Sequence, residues 1–336
     1  MFQSLSISSQ KMLSEFQRIL ITRGFTEDNA LQCAQIFTNN SIDGVYSHGV
    51  NRFATFIKMV DDDYVKPNNI PSLKSKHAGI EQWDGNLGPG PLNAIHATGT
   101  AIALSQQCGI GCVALSNTNH WMRGGMYGWH AAKKGFVFIG WTNTIANMPA
   151  WGAVDNRLGN NPLVLAVPYK EEAIVLDMAM SQYSFGKMEL AKMKDEKLSV
   201  QGGYNKAGEL TNDPSEIISS RRLLPAGYWK GAGLSLLLDV LSTILSGGLS
   251  TTEISKSKVE TGISQVFIAI DILKLHNHSS IPQMIDNIIN DYHQSVTDDG
   301  KNKIVYPGER VLEKRKENLA SGIPVLKNIW EEIIRL

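Results

Sequence analysis

The chain reads as a mixed α/β (α+β) protein in which two helical ends flank a middle section built on a sheet. Three observations predict this. Apolar residues recur at helical spacing near both ends, short apolar runs of strand length crowd the middle, and the breakers Pro67, Asn68, Asn69 and Pro71 separate the first end from the middle.

Each element has its own justification. Over residues 10–22, Met12, Leu13, Phe16, Ile19 and Leu20 make one apolar face, and Gly24 stands where a C-terminal cap falls. Thr26 is an N-cap followed by Glu27 and Asp28, acids suited to a first turn, and Ala30, Cys33, Ala34 and Phe37 form the next apolar face. Cys33 is therefore expected in the core and not as a reactive thiol. A boundary falls near residue 75. Beyond it come a strand at 80–83, a turn at 84–90, a helix at 92–107 and buried strands at 111–115, 136–141, 163–167 and 173–176. Helical periodicity returns at 282–292, where Pro282 suits a first-turn position, and at 323–336, on either side of a Pro307-Gly308 turn. Both segments are expected to pack on the N-terminal helices. The resulting division is a helical unit of residues 1–75 with 285–336, and a mixed α/β unit of residues 76–284.

With 336 residues and 43% hydrophobic content the chain can bury a large core. Thirty-two Lys and Arg balance 32 Asp and Glu, and no basic stripe offers a surface for nucleic acid. The apolar run 234–245 contains Ser and Asp and is shorter than the roughly 20 residues that span a bilayer, so no membrane segment is expected. The first 20 residues lack the pattern of a secretory signal, and three cysteines (Cys33, Cys108, Cys112) are too few for a disulfide framework. A cytoplasmic protein is the expectation.

Several chemistries find no support. Gly109-Ile110-Gly111-Cys112-Val113-Ala114 matches a dinucleotide fingerprint on paper, but it ends a helix and begins a strand, the reverse of what phosphate binding needs. Gly231-Ala232-Gly233 precedes a helix, but a turn at 225–229 leads into it. A standard Rossmann domain is not expected. The eight histidines include no His-Glu-x-x-His, and His276 and His278 read as solvated surface, so no metal is expected. A hydrolase is disfavoured because there is no Gly-x-Ser-x-Gly elbow.

What remains is Ser47-His48-Gly49-Val50-Asn51-Arg52. One helical turn would put His48 and Arg52 on one face, a proton-transferring imidazole beside a permanent cation, which suits a 2-keto acid. A second cluster, Asn119-His120-Trp121-Met122-Arg123-Gly124-Gly125, follows a strand, and its glycines would allow close approach to a ligand.

These two motifs, with Gly159-Asn160-Asn161-Pro162, Asp177-Met178-Ala179 and Trp229-Lys230-Gly231, stand in the order found in the malate/L-lactate dehydrogenase-like oxidoreductases, which the chain resembles over essentially its whole length. Tyr46 before Ser-His-Gly, and Pro225-Ala226-Gly227-Tyr228-Trp229-Lys230-Gly231, resemble the branch acting on sugar-derived acids. The resemblance implies a non-Rossmann nicotinamide-binding mixed sheet, a helical unit from both chain ends, a homodimer, and His48 as proton donor. It implies cofactor contacts at Ala173, Ile174, Val175, Leu176, Asp177, Met178 and Ala179, at Trp229 and Lys230, and at Gly308, Glu309 and Arg310.

The expected reaction is hydride transfer from NADH, with NADPH left open, to the C2 carbonyl of a sugar-derived 2-keto acid. Arg52 would hold the carboxylate, with Ser47 and His120 also at the substrate and Arg123 reading the polyol end. Trp121 and Trp229 would pack against the carbon chain. Asp177 would orient the cofactor or a histidine, or else satisfy backbone amides. A same-family dehydrogenase of malate, lactate or a cyclic imino acid is one alternative; a non-catalytic sugar-acid binding protein is another.

Overall fold

A computed structural model describes residues 4–298, 300 and 303–336. In chain order, β1 (Ser4–Ile7), α1 (Ser9–Thr22) and α2 (Glu27–Ile42) lead through a short 3-10 turn (Tyr46–His48) into α3 (Val50–Asp61). Ser8 and Thr26 cap α1 and α2 by accepting from Lys11 and Asn29 N–H, as the second cap residue predicted. The apolar faces of these helices meet in one core, where Phe16 stacks on Phe53 at 3.9 Å and Cys33 is fully buried.

The middle runs β2 (Ser72–His77), β3 (Ile80–Asp84), α4 (Gly90–Cys108), β4 (Ile110–Thr118), α5 (Gly124–Lys133), β5 (Phe136–Thr142), β6 (Met148–Pro149), β7 (Asn156–Leu158), β8 (Leu163–Tyr169) and β9 (Glu172–Met178). It continues with α6 (Phe185–Met193), β10 (Gly203–Tyr204), β11 (Leu210–Thr211), α7 (Pro214–Ser220), α8 (Trp229–Ser246), α9 (Thr251–Ile254) and β12 (Ile263–Asp271). Seven strands form a mixed sheet in the order β2-β3-β4-β12-β5-β8-β9, and among them only β3 and β4 are parallel neighbours. β12 lies between β4 and β5, and its run Ile263–Asp271 is apolar and largely buried because both faces are covered. Helices α4 and α5 lie on one face and α8 on the other. Gly109 caps α4 with φ +85° immediately before β4, so its glycine pattern runs helix to strand as expected.

The last elements are α10 (Ile281–His293), α11 (Glu309–Ser321), β13 (Ile323–Leu326) and α12 (Lys327–Ile334). Two expectations are corrected here. Residues 323–326 form a strand paired antiparallel with β1, because buried Ile323 and Val325 alternate with exposed Pro324 and half-buried Leu326, a period of 2 too short to stand out beside the following helix. Helix α10 packs beside Tyr169, Ile174 and Tyr306 at the β8–β9 edge, not on the N-terminal helices; an amphipathic face dictates docking but not the surface docked against. α12 does join the N-terminal core through Trp330 and Ile333. So does Met122, which brings the end of β4 to the α1–α3 cluster.

Candidate active site

His48 closes the 3-10 turn, and Gly49, with φ −114° and ψ −121°, breaks the register before α3 begins. His48 and Arg52 are therefore not on one continuous helix. A Cβ on Gly49 would lie 2.3 Å from Ser41 Oγ, so only glycine lets the turn sit this close to α2. The Ser41 hydroxyl accepts from Val50 N–H at 2.9 Å, and Asn40 Nδ2 donates to the His48 carbonyl at 3.0 Å, which fixes the imidazole's starting point.

The second motif arrives from β4. The His120 ring lies 5.8 Å from that of His48, inclined by 21°. Met122, at φ 66°, donates its N–H to His120 Nδ1 at 2.9 Å, so the neutral ring carries its proton on Nε2. Burial pushes the His120 pKa well below 6.5, and Arg52 and His48 push the same way. For His48, burial again lowers the pKa, Asp177 opposes this, and Arg52 and Arg123 reinforce it. Ser47 Oγ and His48 Nδ1 share a hydrogen bond of 3.0 Å, leaving Nε2 for a ligand. Arg52 makes no ion pair or side-chain hydrogen bond among the described residues, so its guanidinium is available to an anion.

Other expected site residues are placed differently. Arg123 is 5% exposed and its Nη1 pairs with Asp43 Oδ2, while Arg315 Nε meets Asp43 Oδ1 at 2.6 Å. The guanidinium is thus engaged beneath the site. Trp121 is fully buried against Tyr127 and Phe267, so it offers no face to a substrate. The glycines after it approach the sheet: Cβ atoms on Gly124 and Gly125 would strike Val164 and Asp177. Asp177 Oδ2 accepts from Gly125 N–H at 2.7 Å, an anion at the α5 N-terminus, while its charge also reaches His48. Of the roles weighed for it, the structure shows the backbone-amide one.

The three segments expected at a cofactor converge on β9 and the chain that follows it. Val175 N–H donates to Pro307 O at 3.0 Å, which lays the Gly308 turn on the sheet edge; Gly308 needs its φ of +95° there, with Trp129 and Val175 against it. Ala226 N–H donates to Met180 O and Gln182 N–H to Leu224 O, both at 2.8 Å, so the turn carrying Trp229 and Lys230 is fastened just past β9. Trp229 is 65% exposed. Glu309 accepts from Lys303, from Tyr306 N–H and from His293, and so braces the turn.

Sequence reasoning missed Asp43, Glu260 and Gly186. Asp43 is legible only as a residue ending α2, and Glu260 carries no local signal. A Cβ on Gly186 would come within 2.7 Å of Ser47 Cβ, so α6 closes on the His48 turn.

Three comparisons bear on this arrangement. A family model described as malate/L-lactate dehydrogenase matches residues 7–334. Over 330 residues, 98% of this chain and 99% of each relative, the chain is 42% identical to a 2,3-diketo-L-gulonate reductase of Pasteurella multocida and 40% identical to one of Haemophilus influenzae. A crystal structure of malate dehydrogenase from Entamoeba histolytica superposes with a TM-score of 0.93 at 23% identity, covering 99% of this chain and 97% of that one, which shows a shared fold.

Proposed function

The chain belongs to the malate/L-lactate dehydrogenase family, and we propose that it is an NADH-dependent reductase of 2,3-diketo-L-gulonate, giving 3-dehydro-L-gulonate. It is an oxidoreductase by its relatives, which also imply a nicotinamide cofactor. The observation that carries the finer reading is the meeting of His48 and His120 with Arg52, which makes no ion pair among the described residues, near the end of β9, where Asp177 stands.

The residues fit a dinucleotide. An exposed aromatic face at Trp229, a cation at Lys230 and the carboxylate of Asp177 lie around one sheet edge, with the 173–179 backbone and the 308–310 turn beside them. A mixed, largely antiparallel sheet would thus hold the nicotinamide without a Rossmann crossover. When bound, the cofactor supplies hydride to the C2 carbonyl.

The protein's part is to place the acid and hold its proton. Arg52 takes the substrate carboxylate, in bidentate fashion where geometry allows. That anion cancels the electrostatic push of Arg52 on His48, so binding raises the imidazole's proton affinity where a proton is needed. His48 then donates from Nε2 to the developing alkoxide, a step typically worth roughly 10² to 10⁴ in rate. His120, fixed as the Nε2–H tautomer, donates to a carbonyl or hydroxyl oxygen without competing for the proton. Ser47 orients His48, and Arg123 with Asp43 supports the floor.

We place the enzyme in the cytoplasm, since Cys33, Cys108 and Cys112 are all free thiols; no helix among the described residues is long and apolar enough to cross a membrane. A homodimer is supported by α8, which exposes Leu237, Val240, Leu241 and Ile244 on one side. Of the two proposed units, residues 1–75 with 285–336 and 76–284, the first loses α10, which packs at the β8–β9 edge of the second.

The test is NADH oxidation followed by absorbance with 2,3-diketo-L-gulonate, pyruvate and oxaloacetate. Turnover of the first, lost in His48→Asn, supports the proposal. Turnover of the small keto acids alone assigns a malate/lactate activity, and ligand binding with no turnover in the parent identifies a binding protein.

A further inference from the structure

Glu260 lies on the loop between α9 and β12, which is fastened at three points. Ile145 N–H donates to Glu260 Oε2 at 3.0 Å, Ala146 N–H donates to Ser255 Oγ at 2.9 Å, and Thr261 Oγ1 donates to Asn119 Oδ1 at 2.9 Å. The last contact ties the loop to the residue before His120. The carboxylate is therefore held by backbone on one oxygen, while Oε1 accepts no hydrogen bond from the described residues.

Arg52 is the charged side chain whose field Glu260 feels, and the same Arg52 acts on His48 and His120. The two opposite charges form no ion pair within 4.0 Å. The Thr261–Asn119 bond sets Glu260 beside the strand end that carries His120. Burial pushes the Glu260 pKa above its ordinary value, and the Ile145 N–H and Arg52 favour the charged form against that push.

Resting on the function proposed above, we propose that Glu260 is a specificity-determining residue: its free Oε1 accepts a hydroxyl hydrogen of a polyhydroxylated 2-keto acid whose carboxylate sits on Arg52. A carboxylate can only accept, so it suits a hydroxyl and repels a second carboxylate. One residue thereby favours a sugar acid and disfavours a dicarboxylic keto acid. A site built to bond a hydroxyl also rejects the analogue lacking it, because the partly buried acceptor is left without that bond.

The isosteric Glu260→Gln keeps an acceptor for Ile145 N–H and removes the charge. With NADH, KM for 2,3-diketo-L-gulonate should rise roughly tenfold with kcat little changed, the difference between a charge-assisted and a neutral hydrogen bond. Pyruvate, with neither hydroxyl nor second carboxylate, should lose none of its kcat/KM, and kcat/KM for oxaloacetate should increase by more than that for pyruvate. Glu260→Asp, which keeps the charge, should retain the preference against oxaloacetate. An equal fall with all three substrates, or an unchanged KM for diketogulonate, overturns the proposal.

Binding gives a readout apart from turnover. L-Gulonate should raise the melting temperature of the cofactor-free parent and lose that effect in Glu260→Gln, whereas L-lactate should act alike on both. If the parent turns over none of the substrates, the functional reading fails, and this binding difference alone decides the role of Glu260.

Discussion

The imidazole rings of His48 and His120 lie 5.8 Å apart and within 21° of parallel, although 71 positions separate them in sequence. Two partly buried rings at that distance do not both carry charge readily, and the Met122 N–H on His120 Nδ1 favours the neutral form there. This favours His48 over His120 as the donor in the proposed reduction.

Replacing His48 with Asn should lower kcat by roughly 10² to 10⁴ while leaving NADH affinity near that of the parent. Steady-state rates together with NADH fluorescence titration check this. A loss of NADH binding of similar size would move the residue from acid catalysis to cofactor support.

The proposed reduction needs His48 protonated, so activity should fall as pH rises through its pKa. In the free enzyme that pKa lies below 6.5, chiefly through burial. Substrate on Arg52 removes an opposing charge, so the profile of kcat should turn over at higher pH than that of kcat/KM. Paired pH–rate profiles measure the offset, and Arg52→Gln should erase it.

Stability carries the same histidines with a fixed sign. Folded His48 and His120 have pKa values below 6.5, so the unfolded chain binds protons that the folded one refuses once the pH drops under 6.5. Stability present above that pH is lost on acidification. Glu260, raised from 4.5, has the opposite sign and offsets part of the loss. His120→Asn, which keeps an acceptor for Met122 N–H, should flatten the fall in melting temperature below pH 6.5. Calorimetry over that range checks it.

Asp43 accepts from both Arg123 and Arg315, with Arg123 5% and Asp43 9% exposed. Asp43→Ala leaves a buried guanidinium uncompensated and should cost about 3 to 5 kcal/mol in urea denaturation. A cost near that of a surface pair, about 1 kcal/mol or less, would show that Arg123 finds another partner.

Gly186→Ala tests the contact of α6 with the His48 turn. Its Cβ would come within 2.7 Å of Ser47 Cβ, displacing the hydroxyl that bonds His48. We expect kcat to drop on the order of 10² with melting temperature nearly unchanged, since a small misplacement of an acid suffices. A variant as active as the parent would show that α6 yields instead of the turn.

The chain by itself determined what neighbouring residues decide among themselves. The apolar period of Met12, Phe16, Ile19 and Leu20, the Thr26 cap and the Gly109 stop set α1, α2 and the end of α4, because backbone hydrogen bonds and caps act over one or two turns. His48, Arg52 and His120 were legible as chemistry by residue type. Tertiary structure decided which of those side chains remain available. Arg123 and Arg52 look equivalent in sequence, but Asp43 engages the first, while the second makes no ion pair among the described residues. Trp121 became core by facing Phe267, and β12 came to lie between β4 and β5. Glu260 is set near the residue before His120 by its own bond from Ile145 N–H and by that of its neighbour Thr261 to Asn119, both partners more than a hundred residues away. Such placements depend on which distant surfaces bury each other, and no local period or cap encodes that.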